Sequence, residues 1–254
     1  ARANAALHEA KDIKFAQRGD TGRCVAWLDT MSGAFTVGLR IGVWKTACTA
    51  LSTSDRIGLS AKLEFDIEAA TEAPIEPLAN LIDSVSSARL FDEMLKLFQS
   101  GYGERTFYQL RRLGLYKHLF AQTEWALTHS QNSEHYHAMI VQALRNTDAR
   151  IAAGKSVTPA FIIAAMLWPP LQEAIAKLGN KMKPQDAYQQ ACQQVIGGQL
   201  GQISIPKRFT ITVREIWDLQ YRLPAIQGKR PERTAAHPRF RAAYDFLLLR
   251  ETAG

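Results

Sequence analysis

From about residue 57 to the C-terminus, apolar residues recur at helical spacing almost without a break. Leu90, Met94, Leu97 and Phe98 fall at i, i+4, i+7 and i+8. Ser86 or Ser87 stands ahead of them as an N-cap and Gly101 behind them as a stop, so the pattern predicts an amphipathic helix with one face in a core. The same reading predicts helices over 104–113, 115–128, 134–153, 159–178, 184–199, 206–223 and 238–250. Several open on proline, whose missing N–H would have had no partner at a first helical position. Pro169 and Pro170 fall inside the 159–178 stretch and should kink or split it. Gly197, Gly198 and Gly201 lack the flanking strand and the lysine of a phosphate loop, and read as a helix stop. No repeat of fixed period is visible, which favours a globular domain over a solenoid. The first 58 residues read differently, with a short helical pattern at 3–17 and strand-like segments at 24–28 and 34–41. The expected fold is therefore all-α, a helical bundle over roughly 57–252, preceded by a segment of uncertain structure.

Composition adds that this bundle can have a real core. A chain of 254 residues with 46% hydrophobic content buries roughly 70% of its unfolded surface, enough for one large or two small domains. No run of eighteen apolar residues occurs, and the apolar stretch 161–168 ends at Pro169, so no membrane span is expected. The N-terminus lacks the plan of a signal peptide. Cys24, Cys48 and Cys192 lie far apart with no CxxC pair, which suggests neither a disulfide framework nor a zinc site and fits a reducing cytoplasm.

Charge points to the class of partner. A net charge of +7 and a pI near 9.4 favour a polyanion, without separating nucleic acid from an acidic membrane surface. The distribution is uneven: residues 1–58 carry +3, residues 59–199 carry −1 and residues 200–254 carry +5.

The helix expected over 206–223 is the most informative local feature. Ile205, Phe209, Val213, Ile216 and Leu223 form a core stripe with Trp217 and Gln220 at its border, and Lys207, Arg214, Asp218 and Arg222 share the other face. Asp218 and Arg222 have the favoured acid-before-base order at i, i+4. That face is either an ordinary solvated one or a surface that tracks phosphates. Lys229, Arg230, Arg233, Arg239 and Arg241 add to it, with Gln227, Gly228 and Pro231 marking a loop that lets basic groups follow a single strand. Tyr221 and Tyr244 are the aromatics nearest these cations and are either base-stacking faces or core rings. Elsewhere the residues are less telling. His129, Glu134, His135 and His137 crowd together, but His135 and His137 point to different sides of a helix and lack a further ligand at metal spacing. Glu64, Asp66 and Glu68 read as a solvated turn, and no nucleophile constellation stands out.

The segment from Leu59 to Thr71, LSAKLEFDIEAAT, is similar to the neck of the poly(A) polymerase and tRNA CCA-adding superfamily, with Glu64 in place of the usual glycine. Three later blocks resemble the bacterial poly(A) polymerase branch: Ala88 to Gly103, Ile205 to Arg208 with Arg214 to Gln220, and His237 to Arg250. Gln227 to Arg230, and Asn146 to Asp148 with Arg150, fit it as well. The resemblance implies neck-like helices over 59–103 and a helical body over 104–254 with a basic, RNA-binding C-terminal part. It implies RNA 3′ ends as partner, with proteins of RNA decay as further partners. In the full-length family the head adds AMP from ATP with magnesium, which marks RNA for decay. Lys207 and Arg208 join the other basic residues as the positions expected to hold RNA. Rival readings are a fragment of the CCA-adding sister class and a non-catalytic helical module that binds RNA or protein.

The resemblance stops just before Leu59. The family head carries an Asp-x-Asp pair that seats two magnesium ions for in-line phosphoryl transfer, and no Asp-x-Asp occurs in this chain. The family neck also opens on Glu-Asp-Pro and base-recognising arginines, where this chain has Cys48, Thr49, Ala50, Ser52, Asp55 and Gly58. Residues 1–58 are thus expected to be an unrelated replacement or an out-of-frame segment. No catalytic residue, metal ligand or cofactor site is expected in this chain, and no adenylate incorporation by the chain alone.

Overall fold

The computed structural model describes residues 72–223 and 230–252. The expectations for residues 1–58 and for the motif ending at Thr71 lie outside the described residues. The regular structure of the described residues is entirely helical, with no strand among them. The chain divides into two units, one taking residues up to Ser86 together with Arg105–His118, the other Ser87–Glu104 and Leu119–Gly254.

In order, the helices are α1 (Ser87–Phe98), α2 (Gly103–Arg112), α3 (Tyr116–Leu119), α4 (Ala121–His129), α5 (Ser133–Ala152), α6 (Pro159–Met166), α7 (Trp168–Gly179), α8 (Pro184–Gln202), α9 (Lys207–Arg222), α10 (Arg230–Ala235) and α11 (Phe240–Thr252). The smaller unit packs a 3-10 turn, Ala79–Ser84, and the later residues of α2 around Ile82, Phe107, Leu110 and Tyr116. The Phe107 and Tyr116 rings meet edge to face at 5.1 Å, and Arg112 forks onto the Glu72 carboxylate.

The larger unit is built around α6. Ala160 and every residue from Ile162 to Met166 are buried, and a helix apolar on all sides belongs inside a domain. It packs against α5, α7, α9 and α11. No single described helix is long and apolar enough to cross a membrane; α6 and α7 together are, but they are bent by 44°. The bend sits at Leu167, because Pro169 and Pro170 supply no N–H to continue the α6 ladder. The freed Met166 carbonyl accepts the Thr123 hydroxyl at 2.8 Å.

Two expectations fail here for a tertiary reason. The single helix expected over 115–128 is broken at Phe120, which leaves helical geometry at φ −137° and ψ 60°. Its ring is fully buried edge to face on Phe98. The backbone groups that the break frees are taken up by α8: Gln199 Nε2 donates to the Leu119 carbonyl at 2.8 Å, and Gln202 Oε1 accepts from the Ala121 N–H. Nor do Gly197, Gly198 and Gly201 stop a helix, since α8 runs through all three to Gln202. Gly198 is there for close approach. A Cβ on it would stand 2.5 Å from Gln122 Nε2, which donates to the Val195 carbonyl across the α4–α8 crossing.

Asp148 explains part of the family-like Asn146 to Asp148 block. Its carboxylate accepts the N–H groups of Gly103 at 2.8 Å and Glu104 at 3.1 Å, the first two residues of α2. Burial pushes its pKa up and those two bonds oppose the shift. Asp148→Ala should therefore cost about 1–2 kcal/mol, as the loss of a cap does, and Asp148→Asn, which keeps one acceptor and no charge to bury, should cost less. Chemical denaturation of the two variants checks the order.

Candidate nucleic-acid interface

α9 begins at Lys207, one residue later than expected, with Pro206 as its N-cap. The Ser204 N–H, just ahead of it, bonds to the Ser87 carbonyl at 3.0 Å, which anchors the entry into α9. Along the buried side, Ile205, Val213, Ile216 and Leu223 lie in the core as the pattern predicts, and Phe209 is half-buried against Phe91. Trp217 and Gln220 are not at the border. Trp217 is 0% exposed and Gln220 2% exposed. The reason is polar satisfaction: Trp217 Nε1 donates to the Ala164 carbonyl of α6, and Gln220 Nε2 donates to the Ile216 and Ala243 carbonyls, tying α9 to α11.

The outer face of α9 presents Lys207, Arg208 and Arg222 exposed and Arg214 half-buried. Arg208 lies over the Phe209 ring at 4.8 Å. Arg214 is turned toward α8, where its charge and hydrogen bond oppose the rise that burial gives the Cys192 thiol. Asp218 does not pair with Arg222; it accepts the Tyr188 hydroxyl at 2.5 Å. Burial and that carboxylate push the Tyr188 pKa up, so the phenol stays a neutral donor. The effect is to leave Arg222 without an ion pair among the described residues.

Tyr221 and Tyr244 are 49% and 43% exposed, so each presents ring surface to solvent and neither is a core ring. Tyr221 leans on Tyr188 with centroids 4.7 Å apart, and Tyr244 stacks on Phe240 at 6.1 Å and 21°. Those neighbours orient the rings without covering them.

Arg239 and Arg241 enter a different feature, a groove of about 1040 Å³ between α5, α9 and α11. Its α5 wall is Gln142, Asn146 and Arg150, a polar stripe at i, i+4, i+8. The opposite wall carries Arg239 and Arg241, each engaged by an acid: Arg239 Nε with Glu215 at 3.1 Å, and Arg241 Nε with both Asp245 oxygens. Exposed pairs of this kind are worth about 0–1 kcal/mol, so a phosphate can compete for either guanidinium. Gly154, at φ 66°, closes α5 with the paired bonds Gly154 N–H to Ile151 and Lys155 N–H to Arg150, and sends the chain back along the groove floor at Ser156 and Val157.

The structure thus separates the sequence candidates. Lys207, Arg208, Arg214 and Arg222 belong to α9, and Arg239 and Arg241 to the groove. Arg230 and Arg233 lie on α10, so the stretch expected as a loop around Pro231 is a short helix there. Lys229 lies outside the described residues. The groove residue Gln142 was not singled out by the sequence, although its four-residue spacing with Asn146, and Asn146's with Arg150, was the available signal. Among the described residues no cluster of three or more His, Cys, Asp or Glu side chains could hold a metal ion. The magnesium implied for the full-length family therefore finds no such donor set among the described residues.

The family described as "Probable RNA and SrmB- binding site of polymerase A" matches residues 64–126, and "Polymerase A arginine-rich C-terminus" matches residues 180–254. The chain is similar to Poly(A) polymerase I of Haemophilus influenzae, 40% identical over 196 residues, covering 76% of this chain and 43% of that protein. The corresponding proteins of Salmonella typhimurium and Escherichia coli O157:H7 are 40% identical over the same length, with 42% of each covered. The chain thus spans less than half the length of these relatives. Across those matched segments it belongs to the bacterial poly(A) polymerase family, in the RNA-binding region and the arginine-rich C-terminal region.

Proposed function

We propose that this chain is the RNA-gripping part of a bacterial poly(A) polymerase, holding the 3′ end of single-stranded RNA while a head domain adds AMP from ATP with magnesium. One observation carries the reading: α9 sets Lys207, Arg208 and Arg222 on an exposed face that also bears the open ring of Tyr221. Cations along one helix face together with an open aromatic ring are what sequence-tolerant single-strand binding requires. On this reading Lys207, Arg208, Arg214, Arg222, Lys229, Arg230, Arg233, Arg239 and Arg241 contact phosphates. Tagging of mRNA for decay in the cytoplasm is the process served, and RNA-decay proteins are the protein partners.

Filter binding of a labelled single-stranded RNA at several salt concentrations tests the proposal. Each neutralised phosphate contributes about 0.7 to the slope of log affinity against log salt, so the nine contacts predict a slope near −6. Binding insensitive to salt, or association only with protein, sinks the proposal in favour of a protein-interaction module.

A further inference from the structure

Arg250 lies outside the groove and outside the α9 face. It points from the other side of α11 into a separate pocket of about 420 Å³, lined also by Asn132, His135, Gln172 and Glu251. The guanidinium is half-buried, lies over the Trp168 ring at 4.5 Å and donates one bond to Gln220 Oε1 at 3.3 Å. Among the described residues no carboxylate reaches it at ion-pair distance. Glu251, the acid on the pocket wall, is exposed. A guanidinium has five N–H donors, and a cation withdrawn from water without a counter-charge is costly unless an anion completes it. Burial disfavours its charged form, and Tyr221 and Glu251 offset only part of that.

The neighbours are donors too. Gln172 Nε2 is buried and closes no hydrogen bond of normal geometry among the described residues, lying beside the Tyr221 hydroxyl. Burial pushes the Tyr221 phenol up, and Gln172 and Arg250 oppose that shift, which places the exposed tyrosine within electrostatic reach of the same pocket. Glu173, the other nearby acid, is already engaged by the Ser130 and Tyr136 hydroxyls at 2.6 and 3.0 Å.

We propose that this pocket is a nucleotide-phosphate subsite, in which Arg250 binds the phosphate with Gln172 and Asn132 as further donors and the Tyr221 ring receives the adjoining base. The volume suits one nucleotide unit. The proposal rests on the RNA-holding function and adds to it a phosphate position that is half-buried and thus less screened by salt than those on α9.

The test compares the wild-type chain with Asn132→Asp, Arg250→Gln and Arg250→Lys. The probes are a labelled oligoadenylate and, separately, ATP. Asn132 is exposed at the N-cap position of α5 and its side chain makes no capping hydrogen bond, so Asn132→Asp sets a negative charge at the pocket without removing a cap or a core residue. Arg250→Gln is expected to weaken oligoadenylate binding about tenfold or more, with Arg250→Lys recovering part of the loss and Asn132→Asp weakening it at unchanged melting temperature. If ATP binding is lost instead, the phosphate belongs to a free nucleotide and the subsite stands. Wild-type-like affinity of Asn132→Asp and Arg250→Gln for both probes overturns the subsite and leaves the RNA-holding function intact. A wild-type chain that binds neither probe overturns both.

Discussion

Reversing the charge of Lys207 and Arg208 together, as Lys207→Glu with Arg208→Glu, is expected to raise the RNA dissociation constant on the order of 10- to 100-fold near 100 mM salt. Both side chains are exposed at the start of α9 and neither contributes to the core, so the fold should survive. With two fewer phosphates neutralised, the salt slope should also shrink by about 1.4. The weakening should be similar for RNAs of different sequence, because phosphates carry no sequence information. Arg208 does lie over Phe209, and the Thr212 hydroxyl bonds to the Arg208 carbonyl, but the second of these uses backbone and persists in the variant. Unchanged affinity would remove these residues from the interface, and a weakening confined to one RNA sequence would mean that they read bases.

The largest effect on stability is expected at Trp217. Replacing it by alanine should cost about 3–5 kcal/mol, the range for deleting a buried aromatic, and leave the Ala164 carbonyl without its indole donor. For a unit of this size that corresponds to a fall in melting temperature of roughly 10 °C or more. RNA binding should fail only as far as unfolding does, since Trp217 faces α6 and not solvent. Affinity that drops below the melting transition would show that the α9 surface depends on the core in a way that its exposure does not suggest. Trp217→Phe keeps most of the ring and should recover most of the stability.

Residues that pack through local periodicity were legible in the sequence. The stripe Ile205, Val213, Ile216 and Leu223 could be read because a helix repeats every 3.6 residues, and Leu90, Met94, Leu97 and Phe98 were readable on the same ground. The split at Pro169 and Pro170 was legible because proline removes a donor wherever it stands. What misled was any position whose role depends on a distant partner. Trp217 looked like a border residue because its polar partner, Ala164, is 53 residues away. Gly198 looked like a stop because nothing local announces the Gln122 side chain that crosses it. Leu115 to Thr128 read as one helix because the glutamines that stabilise its break lie about 80 residues further on.

The interface divides along the same line. Composition and order alone established that the cations gather toward the C-terminal end, that the scaffold is helical, and that the motifs resemble one branch of a nucleotidyltransferase superfamily. They could not say which cations are available. Tertiary structure hands Asp218 to Tyr188 and so leaves Arg222 without an acid among the described residues, sets Arg239 against Glu215, and withdraws Arg250 onto Trp168 beside a pocket. Charge is a property of a residue, and the sequence carries it. Whether that charge meets solvent, an acid or a ligand depends on which distant side chains the fold brings within a few ångströms, and spacing along a chain does not encode that distance.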